Sequence, residues 1–374
     1  MKAPVLFVIL QSGPLANGGL QSIGEVMVRL RNHRPIVLTN VDSIVSRSWR
    51  DAGIDVKIVR EEASKGFKRN PVGTVLTYRR FRRAVADIIA STGARLVHAN
   101  DPLSFQLSVI AAKRSGTRIV LNLRDTLDPW RRPPRLKFRT IFGAADHVFY
   151  LSHDMAERWR QIAGNAMHAC SITYSIVDPK RFPPSPIPDP EKPVVLVAGA
   201  FCPKKGQLPF IRYVVPSLAA RGIETWFAGD FKPEMDAYAE ECAEAAAPNA
   251  DYVRFLGYRA DLANIIAQAS VIAVPSRHEG LMRGMIEAMS CGRPVVSYDV
   301  CSAREVLLEI SGGAGAVVER GYYLAMADAL IHYVTNRSAQ AKAGAAGSAT
   351  ARVLFDPWTV VRKYEQIYDE LEKS

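Results

Sequence analysis

The chain has 374 residues, with 48 Lys or Arg against 37 Asp or Glu and a formal net charge of +11. Its 48% hydrophobic and 23% charged residues are those of a folded protein with a sizeable core, which excludes disorder and collagen, and its length suggests two domains. The charge is uneven: residues 1–180 hold 28 basic against 14 acidic side chains, and residues 181–374 hold 20 against 23. Such asymmetry suggests that the first half faces a membrane surface, a phosphorylated acceptor or nucleic acid. A solvated surface that keeps the chain soluble is the plainer alternative.

The apolar run at residues 5–10 follows Lys2 in the manner of a signal peptide. It is short and is interrupted by Gln11 and Ser12, so it reads as a buried first strand. Leu20, Ile23, Val26 and Leu30 then recur at helical spacing. Residues 35–39, 56–59, 95–99, 118–123 and 147–151 are further strand candidates. Apolar strands alternating with amphipathic helices predict a parallel sheet covered on both faces. Residues 179–193 carry seven prolines, which cannot continue a helix or a central strand. They are expected to form an interdomain linker. A second series of strands follows at 194–198, 222–228, 252–256, 271–274 and 294–298. The alanine-rich stretch 339–351 predicts helix. Residues 357–371 predict a last helix, with Val361, Tyr364, Ile367 or Tyr368, and Leu371 on one face. The expected division is a first domain at 1–180, a linker at 181–193, a second domain at 194–355 and a terminal helix at 356–374. Two such domains are expected to face a ligand cleft with the carboxyl ends of their sheets.

Cys170, Cys202, Cys242, Cys291 and Cys301 form no CxxC pair, which argues against a disulfide framework or zinc site and for a reducing compartment. No run approaches the roughly 18 apolar residues of a membrane span. The expected location is cytoplasmic.

The most informative segment is Pro275-Ser276-Arg277-His278-Glu279-Gly280-Leu281-Met282-Arg283-Gly284-Met285-Ile286-Glu287-Ala288-Met289-Ser290-Cys291-Gly292-Arg293-Pro294. A strand ends before it, a glycine-containing loop carries Glu279, and a helix begins near Arg283 with Glu287 one turn inside. The loop and helix start, Leu281, Met282 and Gly284 among them, would offer backbone N–H groups and a positive dipole end to phosphate. Two carboxylates repel phosphate, so Glu279 and Glu287 suit neutral hydroxyls, as on a sugar and a ribose.

This string resembles the E-x7-E region of the family 4 retaining glycosyltransferases of GT-B fold. The resemblance implies an α/β architecture of two Rossmann-like, doubly wound domains around a central cleft. It also implies that Glu279 contacts a donor sugar, that Glu287 contacts the ribose of a sugar nucleotide, and that Arg283 lies close to the diphosphate. Gly199-Ala200-Phe201-Cys202-Pro203-Lys204-Lys205-Gly206 is similar to the family's G-R-x-x-x-x-K-G motif. Lys205 falls on the diphosphate lysine, and Ala200 replaces the usual arginine. Arg283 is expected to supply the missing charge. Val253-Arg254-Phe255-Leu256-Gly257 resembles a segment near the donor base, which Tyr258 and Arg259 would border. Gly18 and Gly19 resemble the family's glycine-rich loop over the diphosphate. Arg124, after residues 121–123, stands where many members have histidine and would face the sugar or acceptor. Asp146, Ser175 and Glu305 are weaker matches.

The resemblance implies no metal and no cofactor beyond a nucleotide-sugar co-substrate, UDP-sugar before GDP-sugar. The implied acceptor is a glycan, lipid-linked or of lipopolysaccharide type. Two basic-aromatic clusters, at 78–83 and 130–139, suggest binding to an anionic membrane through the first domain, on the cytoplasmic face of the inner membrane. In the first cluster Val75, Tyr78, Phe81, Val85 and Ile88 share one helical face. Nucleic acid is not an expected partner, because no recognised module accompanies the charge. A nicotinamide dehydrogenase lacks its G-x-G-x-x-G after the first strand, and residues 312–315 read only as a glycine-rich turn. Two alternatives remain: a catalytically weak or inactive sugar-nucleotide-binding scaffold, motivated by Ala200, and a transferase acting on a small soluble acceptor with a GDP-sugar donor.

Overall fold

The computed structural model describes residues 2–11, 18–60, 71–126, 135–164, 169–189 and 191–373. Part of the second basic cluster, residues 130–134, lies outside them, as does Asn17. The chain divides into two units, Met1–Ile176 with Pro357–Ser374, and Val177–Asp356.

In the first unit, strands and helices alternate: β1 (Ala3–Ile9), α1 (Gly18–Met27), β2 (His33–Thr39), α2 (Ile44–Asp51), β3 (Asp55–Ile58), α3 (Pro71–Thr92), β4 (Leu96–Ala99), α4 (Pro102–Arg114), β5 (Arg118–Leu123), α5 (Arg135–Ala144), β6 (His147–Tyr150), α6 (His153–Ala163) and β7 (Cys170–Ile172). The strands form one parallel sheet in the order β3-β2-β1-β4-β5-β6-β7. The side chains of 5–9 and 96–99 are wholly buried, as strands covered on both faces require. Local chemistry sets helix starts. Ser43 and Ser46 form a reciprocal capping box on α2, Asp101 caps α4 ahead of Pro102, and Ser152 caps α6. On α3 the apolar stripe is buried at Phe81, Val85 and Ile88, whereas Val75 is exposed. The expected face therefore fades toward the helix start.

The second unit repeats the pattern with β8 (Val194–Ala198), α7 (Gln207–Tyr213), α8 (Val215–Ala219), β9 (Glu224–Ala228), α9 (Ala237–Ala246), β10 (Val253–Gly257), α10 (Leu262–Gln268), β11 (Val271–Val274), α11 (Arg283–Ser290), β12 (Val295–Tyr298), β13 (Gly315–Val318), α12 (Tyr323–Thr335) and α13 (Arg337–Leu354). Its parallel order is β10-β9-β8-β11-β12-β13. Two short edge strands, β7 and β13, were not expected from sequence. Gly315, read as the end of a turn, opens β13 and pairs with Val295. β7 has only three residues, and β13 opens within a glycine-rich turn.

α14 (Pro357–Lys373) packs on the first unit, with Val360, Val361, Tyr364 and Tyr368 in its core. The buried Glu365 carboxylate accepts hydrogen bonds from the Arg31 and Asn32 amides, both at 2.6 Å. The proline-rich segment is more than a linker, because it is fastened to the second unit. Ser290 Oγ donates to the Phe182 carbonyl at 2.7 Å. The fully buried Arg293 guanidinium donates to the carbonyls of Ser185, Pro186 and Ala267. Prolines leave backbone carbonyls without secondary-structure partners, and a buried arginine with five N–H donors satisfies several at once.

Candidate active site

In both sheets the winding direction reverses beside the first strand of the unit, between β1 and β4 and between β8 and β11. Ligands of doubly wound sheets bind beyond the carboxyl ends of the strands at such points. In the second unit these ends carry the two motifs singled out by sequence. The loop after β8 runs from Gly199 through a 3₁₀ turn, Pro203–Lys205, into α7. The loop after β11 leads from Pro275 into α11. The Arg277 amide donates to the Lys204 carbonyl at 2.8 Å and ties the loops together. Gly206 lies at φ +73°, and a Cβ there would run into the Pro275 carbonyl oxygen. Only glycine meets both conditions.

One ion pair follows from this approach, and a second forms within α11. Lys205 Nζ stands 2.6 Å from Glu279 Oε1, and Arg283 Nε stands 2.7 Å from Glu287 Oε1, four residues along the same helix. Both carboxylates are buried, Glu279 at 7% and Glu287 at 5% exposure. Burial pushes the Glu287 carboxyl upward, and the Arg283 charge opposes it. Arg283 Nη1 is buried and makes no hydrogen bond among the described residues. No side chain caps α11 after Met282, so the backbone N–H groups of its first turn point outward unclaimed by a cap. Leu281 and Met282 have buried side chains. A Cβ on Gly284 would sit 3.5 Å from the Ala198 carbonyl oxygen, at the end of β8. Ser302 Oγ donates to the Gly280 carbonyl at 3.0 Å and braces the Glu279 loop. An uncapped helix start with an arginine at its first position has the chemistry of a candidate anion site. The buried carboxylates are acceptors for hydroxyl groups.

Tyr258 and Arg259 follow β10, two strands from β8. Tyr258 is exposed, and Arg259 holds Asp261 through two 2.8 Å hydrogen bonds. Neither bonds to the Lys205 or Arg283 pairs among the described residues. Gly18 and Gly19, read from sequence as a loop, form the first turn of α1 without positive φ. What they share with a phosphate-binding loop is their small size at a helix N-terminus. Arg124 follows β5 in the first unit, and its Nη2 donates to Ser175 Oγ at 3.0 Å. Asp146, directly before β6, ties that strand's start to β5, accepting from the Ile119 amide at 2.7 Å and pairing with Lys113 at 2.8 Å. Its motif match therefore marks a structural residue. Glu305 is buried at the start of the π-helical stretch Glu305–Ile310. Tyr364 contributes to the Arg124 surroundings through Thr173, yet in sequence it reads only as part of an apolar face. Among the described residues, no group of three His, Cys, Asp or Glu side chains is arranged to hold a metal ion.

Residues 192–336 match the family described as Glycosyl transferases group 1, and residues 22–181 match Glycosyltransferase Family 4. The chain belongs to glycosyltransferase family 4. The enzyme is 28% identical to the lipopolysaccharide core biosynthesis mannosyltransferase LpsB of Rhizobium meliloti, over 76% of this chain and 94% of that protein. It is 28% identical to the phosphatidyl-myo-inositol mannosyltransferase of Mycolicibacterium smegmatis, over 76% of this chain and 74% of the relative. The crystal structure of Anabaena HepE in complex with UDP superposes with a TM-score of 0.80 at 20% identity, covering 99% of this glycosyltransferase and 100% of HepE. The shared fold is GT-B. Among the described residues, no helix is long and apolar enough to cross a membrane.

Proposed function

We propose that the enzyme transfers a hexosyl unit, with retention of anomeric configuration, from a nucleoside-diphosphate sugar to a lipopolysaccharide-type or other lipid-linked acceptor. The observation that carries the reading is the pairing of Lys205 with Glu279 and Arg283 with Glu287 around the uncapped start of α11. The donor diphosphate takes Lys205, the α11 N-terminus and the buried Nη1 of Arg283. Glu279 holds a hydroxyl of the donor sugar, and Glu287 holds the ribose. Leu281, Met282 and Gly284 contribute backbone, and Tyr258 and Arg259 border the base. Gly18, Gly19 and Arg124 serve from the first unit. No cofactor takes part.

In the transfer, the bond between the anomeric carbon and the diphosphate oxygen breaks, and the acceptor oxygen bonds to that carbon on the same face. The acceptor proton passes to the departing diphosphate oxygen. Negative charge grows on that oxygen, where preorganised cations and N–H groups stabilise it most. Ala200 leaves the usual arginine charge absent, and Arg283 replaces it.

For the sugar, the two mannosyltransferase relatives favour mannose, which moves GDP-mannose ahead of the UDP-sugars expected from sequence. The test is to incubate the purified chain with GDP-mannose, UDP-glucose, UDP-galactose and UDP-N-acetylglucosamine in turn. Each is followed by thermal shift and by release of nucleoside diphosphate with a lipopolysaccharide-core acceptor. GDP-mannose is expected to stabilise the protein by about 2.7 kcal/mol at ~100-fold excess over Kd and to turn over. Binding without turnover would favour the scaffold, and turnover of a UDP-sugar alone would overturn the mannosyl assignment.

A further inference from the structure

The geometry points to Tyr364, on the C-terminal helix α14, as a positioning residue that orients the Arg124 guanidinium at the end of β5. The inference rests on the reading of Arg124 as a group that faces the reacting sugar or acceptor.

Tyr364 is wholly buried. Its ring packs on Phe149 with centroids 4.7 Å apart, a contact that phenylalanine would make equally well. The hydroxyl is therefore not explained by packing, and a buried hydroxyl is costly unless it is bonded. Here it accepts from Thr173 Oγ1 at 3.0 Å, and the Asn122 amide and Arg124 guanidinium also act on it. Two residues beyond Thr173, Ser175 Oγ accepts from Arg124 Nη2 at 3.0 Å. The segment after β7 thus holds the tyrosine with one hydroxyl and the arginine with the next. One turn further along α14, the Tyr368 hydroxyl meets His98 Nδ1 at 2.7 Å. Burial, reinforced by the Arg124 charge, pushes the His98 imidazole down to about 3, so the ring is neutral.

The Tyr364, Thr173, Ser175 and Asn122 side chains are themselves neutral. Burial raises Tyr364 and keeps it a phenol. A hydroxyl orients a guanidinium without itself cancelling the positive charge.

The test is a double-mutant cycle on the intact chain, read as initial rates with the donor that turns over. Tyr364→Phe is expected to lower kcat about 5- to 10-fold, the size of one lost neutral hydrogen bond. Donor KM should stay within about 2-fold. In an Arg124→Ala background, the same change is expected to cost less than about 2-fold. A wild-type kcat in Tyr364→Phe, or penalties that multiply in the double variant, would overturn the inference. Arg124→Ala alone tests the underlying reading: a wild-type kcat there removes Arg124 from the reaction, and the inference with it, whatever Tyr364 does. If Tyr364→Phe does not fold, Thr173→Val is put through the same cycle. It removes the donor to the phenol, and a wild-type kcat again overturns the inference.

Discussion

Arg283 carries the largest burden of any single residue in the proposed site. It is tied to Glu287 through Nε, which leaves the buried Nη1 without a hydrogen bond among the described residues. It stands at the first position of an uncapped helix. Arg283→Ala is expected to lower kcat/KM for the donor by about 10- to 100-fold, equivalent to about 1.5–3 kcal/mol for one charge-assisted contact. Steady-state kinetics and donor titration check this; unchanged values would show that Ala200 has no substitute at this residue. The glutamates and Arg283 were legible in sequence because loop, helix start and seven-residue interval are local features. The pairing of Lys205 with Glu279 was not legible. The two residues are 74 positions apart, and only the adjacency of β8 and β11 brings them together.

At the scale of elements, the proline-rich segment shows how a correct local reading can miss the packing. The prolines did exclude helix and strand, and residues 183–189 are irregular. What they could not reveal is that Arg293, just past the end of α11, reaches back across more than 100 residues to bond the Ser185 and Pro186 carbonyls. It also takes the Ala267 carbonyl, at the end of α10. α11 is therefore braced at its C-terminal end by the segment that enters the unit, while its N-terminal end forms the candidate anion site. Arg293→Met is expected to leave several buried carbonyls unpaired and to destabilise the protein by about 2–5 kcal/mol. The readouts are a lower urea midpoint and faster proteolysis within residues 181–193. A wild-type midpoint with wild-type proteolysis would show that the segment holds without the arginine.

Over the whole molecule, the charge remains divided, with the excess of basic residues in residues 1–180. On α3 the exposed Arg79 and Arg83 stand near the exposed Val75 and Leu76, and on α5 Leu136 is 79% exposed beside Lys137 and Arg139. Mixed basic and apolar exposure is suited to an anionic bilayer, where each basic residue near the surface adds about 1 kcal/mol. The chain is expected to float with vesicles containing anionic lipid and not with neutral ones. Arg79→Glu with Arg83→Glu should weaken that binding at least ~10-fold. Equal partitioning on both vesicle types would assign the charge to solvation. The sequence by itself determined two alternating α/β series and the loop-to-helix character of the donor motif, because these depend on near-neighbour periodicity and turn chemistry. Tertiary structure alone decided the ion pairs, the short edge strands, the fastening by Arg293 and the place of Tyr364 beneath Arg124. Each of these joins residues far apart in the chain, and strand order rather than sequence interval sets which ones meet.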